Sequence, residues 1–323
     1  MNYGHEGPYS VTLSNGVRMP YIGLGTWQMK GNEVKTAVKW ALAEGYRMID
    51  TATIFYNEEE IGDAIHEAIQ EGLVRREELF IITKAWVTQI DPLNIEKGLR
   101  GSLARMRLSY VDAYLAHYPT AFSGDMSEAQ RHITAESVWS GLEELYKMGL
   151  TRSIGVANFN ALQIQRILKT AVIPIHMLQV EAHVYFPQYE LQTLCRNLNI
   201  ALMAYAPLGS PTRRNYVRSN GVRPYDQEAL SELEDKNVIS ISRKYGKTPA
   251  QVLLRYLLDR GIIITPKSSK PARIKENMNL FDFRLTPEDF FSIDTISTRH
   301  QRLFATDFCA VHPEDPFRDA RVV

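Results

Sequence analysis

The chain has 323 residues, enough for one large domain or two of ordinary size. Apolar residues make up 45% and charged residues 23%, the balance of a globular protein with a well-buried core. Lys and Arg together number 37, as do Asp and Glu, so net charge favours neither a nucleic-acid partner nor a membrane surface. Any anion site must therefore be local. The first residues, Met1 to Gly7, have neither the apolar core nor the basic cluster of a signal peptide, and no run reaches the 18 apolar residues of a membrane span. Cys195 and Cys309 are too few for a disulfide framework, and the expected compartment is the reducing cytoplasm.

In chain order, Ser10–Leu13 and Val17–Met19 flank Asn15-Gly16, which predicts a hairpin closed by a type I′ turn. Eight short apolar runs then read as buried parallel strands: Tyr21–Leu24, Tyr46–Ile49, Leu79–Thr83, Val111–Ala116, Arg152–Val156, Met177–Val180, Ala201–Ala204 and Ile262–Thr265. Helix-period segments separate them. Ile61, Ala64, Ile65, Ala68 and Ile69 fall on one helical face, and so do Val138, Leu142, Leu145 and Met148. Asp91-Pro92, Thr248-Pro249 and Thr286-Pro287 each predict a helix start, with a capping side chain before a proline at the first helical position. No Gly/Ser-rich linker divides the chain, so a single domain over residues 1–323 is expected.

Eight strand–helix units allow a closed barrel or an open doubly wound sheet. The strand ends decide between them. Thr26 and Trp27, Asp50, Lys84, His117, Asn158, Gln179 and Glu181, Tyr205, and Lys267 each follow or end a predicted strand. In a (β/α)8 barrel these ends converge on one face, whereas along an open edge they could not all meet. Gly23-Leu24-Gly25, with Asp50 ending the next strand, imitates a dinucleotide fingerprint, but Gln28 stands where the third glycine belongs. No phosphate-binding P-loop is present, and no pair of the 8 histidines has metal-ligand spacing.

The run Gly45-Tyr46-Arg47-Met48-Ile49-Asp50-Thr51-Ala52, then Asn57-Glu58-Glu59 and Ile61-Gly62, resembles the signature of the aldo-keto reductases. Ile82-Thr83-Lys84, Ala116-His117-Tyr118-Pro119, Ile154 to Phe159, and Gln179-Val180-Glu181 continue the resemblance in order. It runs on through Ala204 to Gly209, Pro266-Lys267-Ser268, Arg273-Ile274 and Glu276-Asn277 to the C-terminal His312-Pro313 and Pro316-Phe317. The resemblance implies a (β/α)8 barrel with an N-terminal hairpin and a C-terminal loop over the active site. It also implies NADPH-dependent reduction of aldehydes and ketones, open-chain sugars included, by a monomer.

By the same resemblance, Asp50, Lys84 and His117 occupy the catalytic positions, with Lys84 and His117 following Asp50 at 34 and 67 residues. A lysine paired with an aspartate would tune a tyrosine that protonates the carbonyl oxygen, and the histidine would orient that oxygen. Asn158 and Gln179 match the amides that hold the nicotinamide carboxamide, and Tyr205 matches the ring on which it stacks. A serine usual before Asn158 is Ala157 here. Lys267, Ser268 and Arg273 match the grip on the 2′-phosphate, and Asn277 the adenine contact. Thr26, Leu208, Ser210 and Glu276 complete the implied cofactor positions. Two cations and a hydroxyl around a dianionic phosphate favour NADPH over NADH. Trp27, Trp86, Tyr118 and Phe122, with His117, match the mouth of an apolar substrate pocket, over which Thr298–Phe317 would close. The loop from Pro119 to Ser137 is short for the family.

The tyrosine position, five residues after Asp50, is Phe55. Tyr56 is adjacent, but Asn57-Glu58 keep the register. Two origins stay open, a substitution made to trap a complex and a natural chain that has lost its proton donor. The function read from the sequence is accordingly a carbonyl reductase impaired at one hydroxyl. The competing reading is a non-catalytic NADPH-binding module of regulatory or sensor kind. A third is another barrel enzyme that binds phosphate at the Lys267 end.

Overall fold

The computed structural model describes residues 9–211, 231–296, 302–304 and 306–318. Two short antiparallel strands, β1 (Ser10–Thr12) and β2 (Arg18–Pro20), form the N-terminal hairpin. The turn is not type I′, because only Gly16 has a positive φ, at 85°. Gly16 N–H donates to the Leu13 carbonyl and Leu13 N–H to that of Val17. This is a three-residue loop, a type I turn followed by a left-handed glycine. Asn15 instead sends its side-chain amide across the molecule to the Arg152 carbonyl at 2.9 Å and to Ser153 Oγ at 3.1 Å.

Eight parallel strands follow: β3 (Leu24–Gly25), β4 (Met48–Asp50), β5 (Phe80–Ala85), β6 (Ala113–Ala116), β7 (Ile154–Ala157), β8 (Met177–Glu181), β9 (Ala201–Tyr205) and β10 (Ile263–Ile264). Each pairs with the next in sequence, and parallel bridges Ile22–Ile264 and Gly25–Lys267 join the last strand to the first. Seven of the eight predicted runs coincide with these strands, with ends shifted by no more than two residues, while Tyr21–Leu24 shares only Leu24 with β3. Gly23 and Gly25 serve this seam. A Cβ on Gly25 would stand 2.7 Å from the Thr265 carbonyl oxygen, and one on Gly23 would stand 2.8 Å from the Met48 side chain. The apparent dinucleotide fingerprint is thus a packing requirement inside and beside a strand.

Helices α1 (Asn32–Ala43), α2 (Glu58–Gln70), α3 (Ile95–Met106), α4 (Ala135–Lys147), α5 (Ala161–Leu168) and α6 (Tyr189–Asn197) each follow a strand. After β9 come α7 (Lys236–Tyr245) and α8 (Pro249–Asp259), and after β10 come α9 (Pro271–Met278) and α10 (Pro287–Thr295). Thr248 and Thr286 cap α8 and α10 as predicted, each accepting a backbone N–H three residues on. Asp91-Pro92 does not start a helix. Asp91 accepts Leu93 N–H in a local turn, and α3 begins three residues after Pro92. On α4, Val138, Leu142 and Leu145 are buried as the period requires, but Met148 lies past the helix end and is exposed. No helix of the described residues is long and apolar enough to cross a membrane.

Two apolar layers result. One lies between strands and helices. The other fills the barrel, where Met48, Phe80, Leu115, Met177 and Met203 meet Leu13 and Met19 from the hairpin. Arg152 and Ser153, held by Asn15, precede β7, so the hairpin closes the N-terminal end and leaves the C-terminal end open for a site.

Candidate active site

Asp50 is the last residue of β4, and Lys84 lies near the end of the neighbouring β5. Their side chains meet inside the barrel, with Lys84 Nζ 2.7 Å from Asp50 Oδ1 and 2.8 Å from the Thr51 carbonyl oxygen. Gln179 on β8 donates its amide to the same Asp50 oxygen at 3.1 Å. Both charged groups are almost fully buried. Burial lowers the Lys84 pKa from its usual value, and the Asp50 charge opposes that shift. Such a pair is weak evidence for stability but is costly to leave half-made.

Phe55 ends a single 3₁₀ turn, Thr53–Phe55, separated from the β4 end by Thr51 and Ala52. The turn is tied down by Thr53 Oγ1, which donates to the Lys84 carbonyl at 3.1 Å. The Phe55 ring lies 5.5 Å from Lys84 Nζ and 5.9 Å edge-on from the His117 ring. Tyr56 takes a left-handed φ of 53° and is 73% exposed, so it turns away from this cluster. The register is fixed by buried Asn57, which accepts from Thr51 Oγ1 and donates to the Thr26 and Met29 carbonyls. Phe55, not Tyr56, faces the ion pair.

His117 follows β6 and is held by its own N–H to the Ala85 carbonyl. Its Nδ1 is buried with no hydrogen-bond partner among the described residues. Burial, aided by the Lys84 charge, pushes its pKa well below the usual histidine value, so the ring is neutral. Asn158, in a left-handed conformation at the end of β7, donates to the His117 carbonyl at 2.9 Å and accepts from Tyr205 OH at 2.9 Å. Ala157 before it is buried in the barrel interior. The structure therefore gathers Asp50, Lys84, Gln179, Phe55, His117, Asn158 and Tyr205 at one end of the barrel.

The remaining predicted residues divide. Thr26 spends its hydroxyl on the Asp50 carbonyl at 2.9 Å, which makes it a brace of the β3–β4 ends. Lys267 forms the seam bridge to Gly25 and is exposed, as is Arg273 on α9, and neither is in an ion pair among the described residues. Ser268 and Asn277 are buried. Glu276 accepts the Thr248 hydroxyl at 2.7 Å. Leu208 packs on the core, and Ser210 has a positive φ of 46° in the loop after β9.

On the opposite side, Trp86 packs edge-on to His117 and Tyr118, while Tyr118 stacks on His117 at 5.2 Å. Phe308 from the C-terminal segment covers Trp86, Tyr118 and Phe122. Phe122 lies beyond this layer against His312 and touches none of the Asp50 group. Phe304 packs edge-on to both Trp27 and Tyr205, at 5.8 Å from each. Phe304 and Phe308 were not singled out by sequence. They fall within the predicted Thr298–Phe317 loop, of which residues 298–301 and 305 lie outside the described residues. Aromatic residues in a segment otherwise rich in polar ones were the available signal.

The sequence profile of the Aldo/keto reductase family matches residues 21–298. Among curated proteins, aldo-keto reductase family 1 member A1-A of Danio rerio is 40% identical over 326 residues, covering 95% of this chain and 98% of its own. Aldo-keto reductase family 1 member A1 of Homo sapiens is 41% identical over 297 residues, 89% of each chain. Among solved structures, the Bombyx mori aldo-keto reductase in complex with NADP superposes with a TM-score of 0.86 at 37% identity, covering 95% of this chain and 98% of that one. The aldose reductase of Schistosoma japonicum gives 0.85 at 36%, over 96% and 99% of the two chains. With the family profile matched over residues 21–298 and relatives at about 40% identity over nearly the whole chain, the chain belongs to the aldo-keto reductase family.

Proposed function

We propose that this chain binds NADPH at the open end of its barrel and reduces carbonyl compounds, with a rate limited by the absence of a proton donor at Phe55. The observation that carries the reading is the Asp50–Lys84 pair with His117 around a ring that lacks a hydroxyl. The residues present fit the cofactor. Lys267 and Arg273 are exposed cations beside buried Ser268, and Tyr205 offers a half-buried ring beside the Asn158 amide. Gln179 Nε2 is committed to Asp50, which leaves its carbonyl oxygen to accept from a carboxamide. When bound, NADPH supplies a hydride. The protein must hold the carbonyl carbon in reach, steady the charge that builds on its oxygen, and deliver a proton there.

Neutral His117 can donate one hydrogen bond to that oxygen, and the Lys84 cation lies close enough to favour negative charge on it. Phe55 holds the place from which a phenol would reach the oxygen, and it has nothing to give. A positioned general acid contributes about 10²–10⁴ in rate. Single-turnover reduction of 4-nitrobenzaldehyde by the parent and by Phe55→Tyr tests the reading. The expected result is a gain of at least about tenfold, below the full general-acid factor because His117 or water can partly substitute, with NADPH affinity unchanged. No gain in a parent that already turns over briskly would overturn it. The second reading, an NADPH-binding module without catalysis, is favoured by the same Phe55, and stoichiometric NADPH binding without turnover by Phe55→Tyr would establish it.

A further inference from the structure

One buried cluster stands apart from the Asp50–Lys84 pair. His183, just past the end of β8, is fully buried with a carboxylate at each ring nitrogen. Its Nε2 lies 3.0 Å from Glu181 Oε1, and its Nδ1 is in close contact with Glu232 Oε1. A carboxylate facing each nitrogen of an imidazole favours a proton on both, which makes the ring cationic. Burial opposes that charge, but Glu232 and Glu181 outweigh it and hold the pKa at about 9.

Each carboxylate belongs to a different part of the site's rim. Glu181 accepts the backbone N–H of Leu303 at 2.6 Å and that of Phe304 at 2.9 Å, so it holds the C-terminal segment by its main chain. Glu232 packs beneath the loop after β9, where a Cβ on Gly209 would stand 3.0 Å from its Oε1. Phe304, fastened by Glu181, is the ring that touches both Trp27 and Tyr205. A single imidazolium thus ties the Leu208–Ser210 loop to the strap that carries Phe304.

We propose that His183 is a positioning residue, a clasp through Glu181 and Glu232 that couples the cofactor-side loop after β9 to the C-terminal strap over the substrate side. This rests on the reading that NADPH lies against the loop after β9. With the clasp closed, a ligand that orders that loop also holds Arg302–Phe304 down. With it broken, the loop and the strap respond independently.

The scissile bond for trypsin after Arg302 carries the Leu303 N–H that Glu181 accepts, so cleavage there reports how often the strap opens. The full chain is compared with His183→Gln and Glu232→Gln by mass spectrometry of that bond, with cleavage after Arg100 on α3 as internal reference. Loss of one charge-assisted bond should speed cleavage after Arg302 about tenfold without ligand, because cleavage tracks the open population. Saturating NADPH should protect the Arg302 site in the parent and leave it less than about twofold protected in either variant, although fluorescence titration still registers binding. Equal NADPH protection in parent and folded variants, or unchanged cleavage without ligand, would overturn the clasp. If His183→Gln fails to fold, Glu232→Gln carries the same test from the other side of the ring. A parent that binds no NADPH would overturn the cofactor reading instead, and the clasp would then be judged on the cleavage rates without ligand.

Discussion

Along the inward face of the barrel, residues two apart on the same strand belong to different chemistries. On β4 the step is from Met48 to Asp50, on β5 from Phe80 and Ile82 to Lys84, on β8 from Met177 to Gln179, and on β9 from Met203 to Tyr205. The strand period of two keeps each pair on one face while moving it one layer up the barrel. Near the hairpin the only requirement is volume, which flexible methionines meet. A layer or two higher, every group needs a specific partner, and the distances shorten to 2.7 Å between Lys84 and Asp50. The lower layers can be repacked. The upper one cannot lose a member without stranding another.

That contrast can be broken directly. Phe80→Ala, in the lower layers, should cost about 3–5 kcal/mol for the cavity it leaves. Lys84→Met should cost a similar amount, about 3–5 kcal/mol, because Asp50 would remain buried and unpaired. Urea denaturation measures both. The difference appears in the double variant Asp50→Leu with Lys84→Met, which should recover part of the stability lost by Lys84→Met, since apolar replacement of a buried ion pair is often neutral or better but leaves the Gln179 amide without its Asp50 partner. It should still reduce no carbonyl in the Phe55→Tyr background. A double variant as unstable as Lys84→Met alone would show that the upper layer packs no differently from the lower.

The cofactor end sharpens the comparison further. Lys267→Ala and Arg273→Ala should each weaken NADPH binding by roughly 1.5–3 kcal/mol, the range for a hydrogen bond to a charged group. Calorimetric titration should find NADH affinity almost unaltered, and equal losses for both would remove the phosphate assignment. A pH effect comes next. Burial disfavours the charged His183 ring, but Glu232 and Glu181 outweigh it and raise its folded pKa to about 9. Its contribution to stability is complete below the unfolded value of about 6.5 and is lost as pH rises through about 9. The urea midpoint should therefore fall between pH 7 and pH 10 by more in the parent than in His183→Gln. The smallest effect is expected at the rim. Trp27→Ala and Tyr118→Ala should shift preference among aldehydes while NADPH affinity stays within a few-fold, and collapse of cofactor binding would make these rings part of the barrel packing.

Most strand positions were legible because a buried strand is a short local run of apolar residues that ends where a polar one begins. Asp50, Lys84, Gln179 and Tyr205 stand at strand ends in the sequence for that reason. The failures were local contests among turn residues. At Asn15-Gly16 the asparagine found a better use across the barrel end, on Arg152 and Ser153. At Asp91-Pro92 a side-chain turn forestalled the helix start. The cluster at His183 was illegible for a different reason, because Glu232 reaches it from another part of the chain and no spacing announces such a meeting.

The seam has a consequence for how the protein is made. Gly25 leaves the ribosome long before its partners, Thr265 and Lys267, so the ring stays open until those two have been made. The residue that bridges Gly25 is the same lysine that would grip a phosphate. A chain cut short before Lys267 would have an unpaired β3 edge and an incomplete cofactor site at once. Nascent chains should accordingly depend on shielding of that edge until Lys267 has emerged, and tight cofactor binding is not expected before the ring has closed.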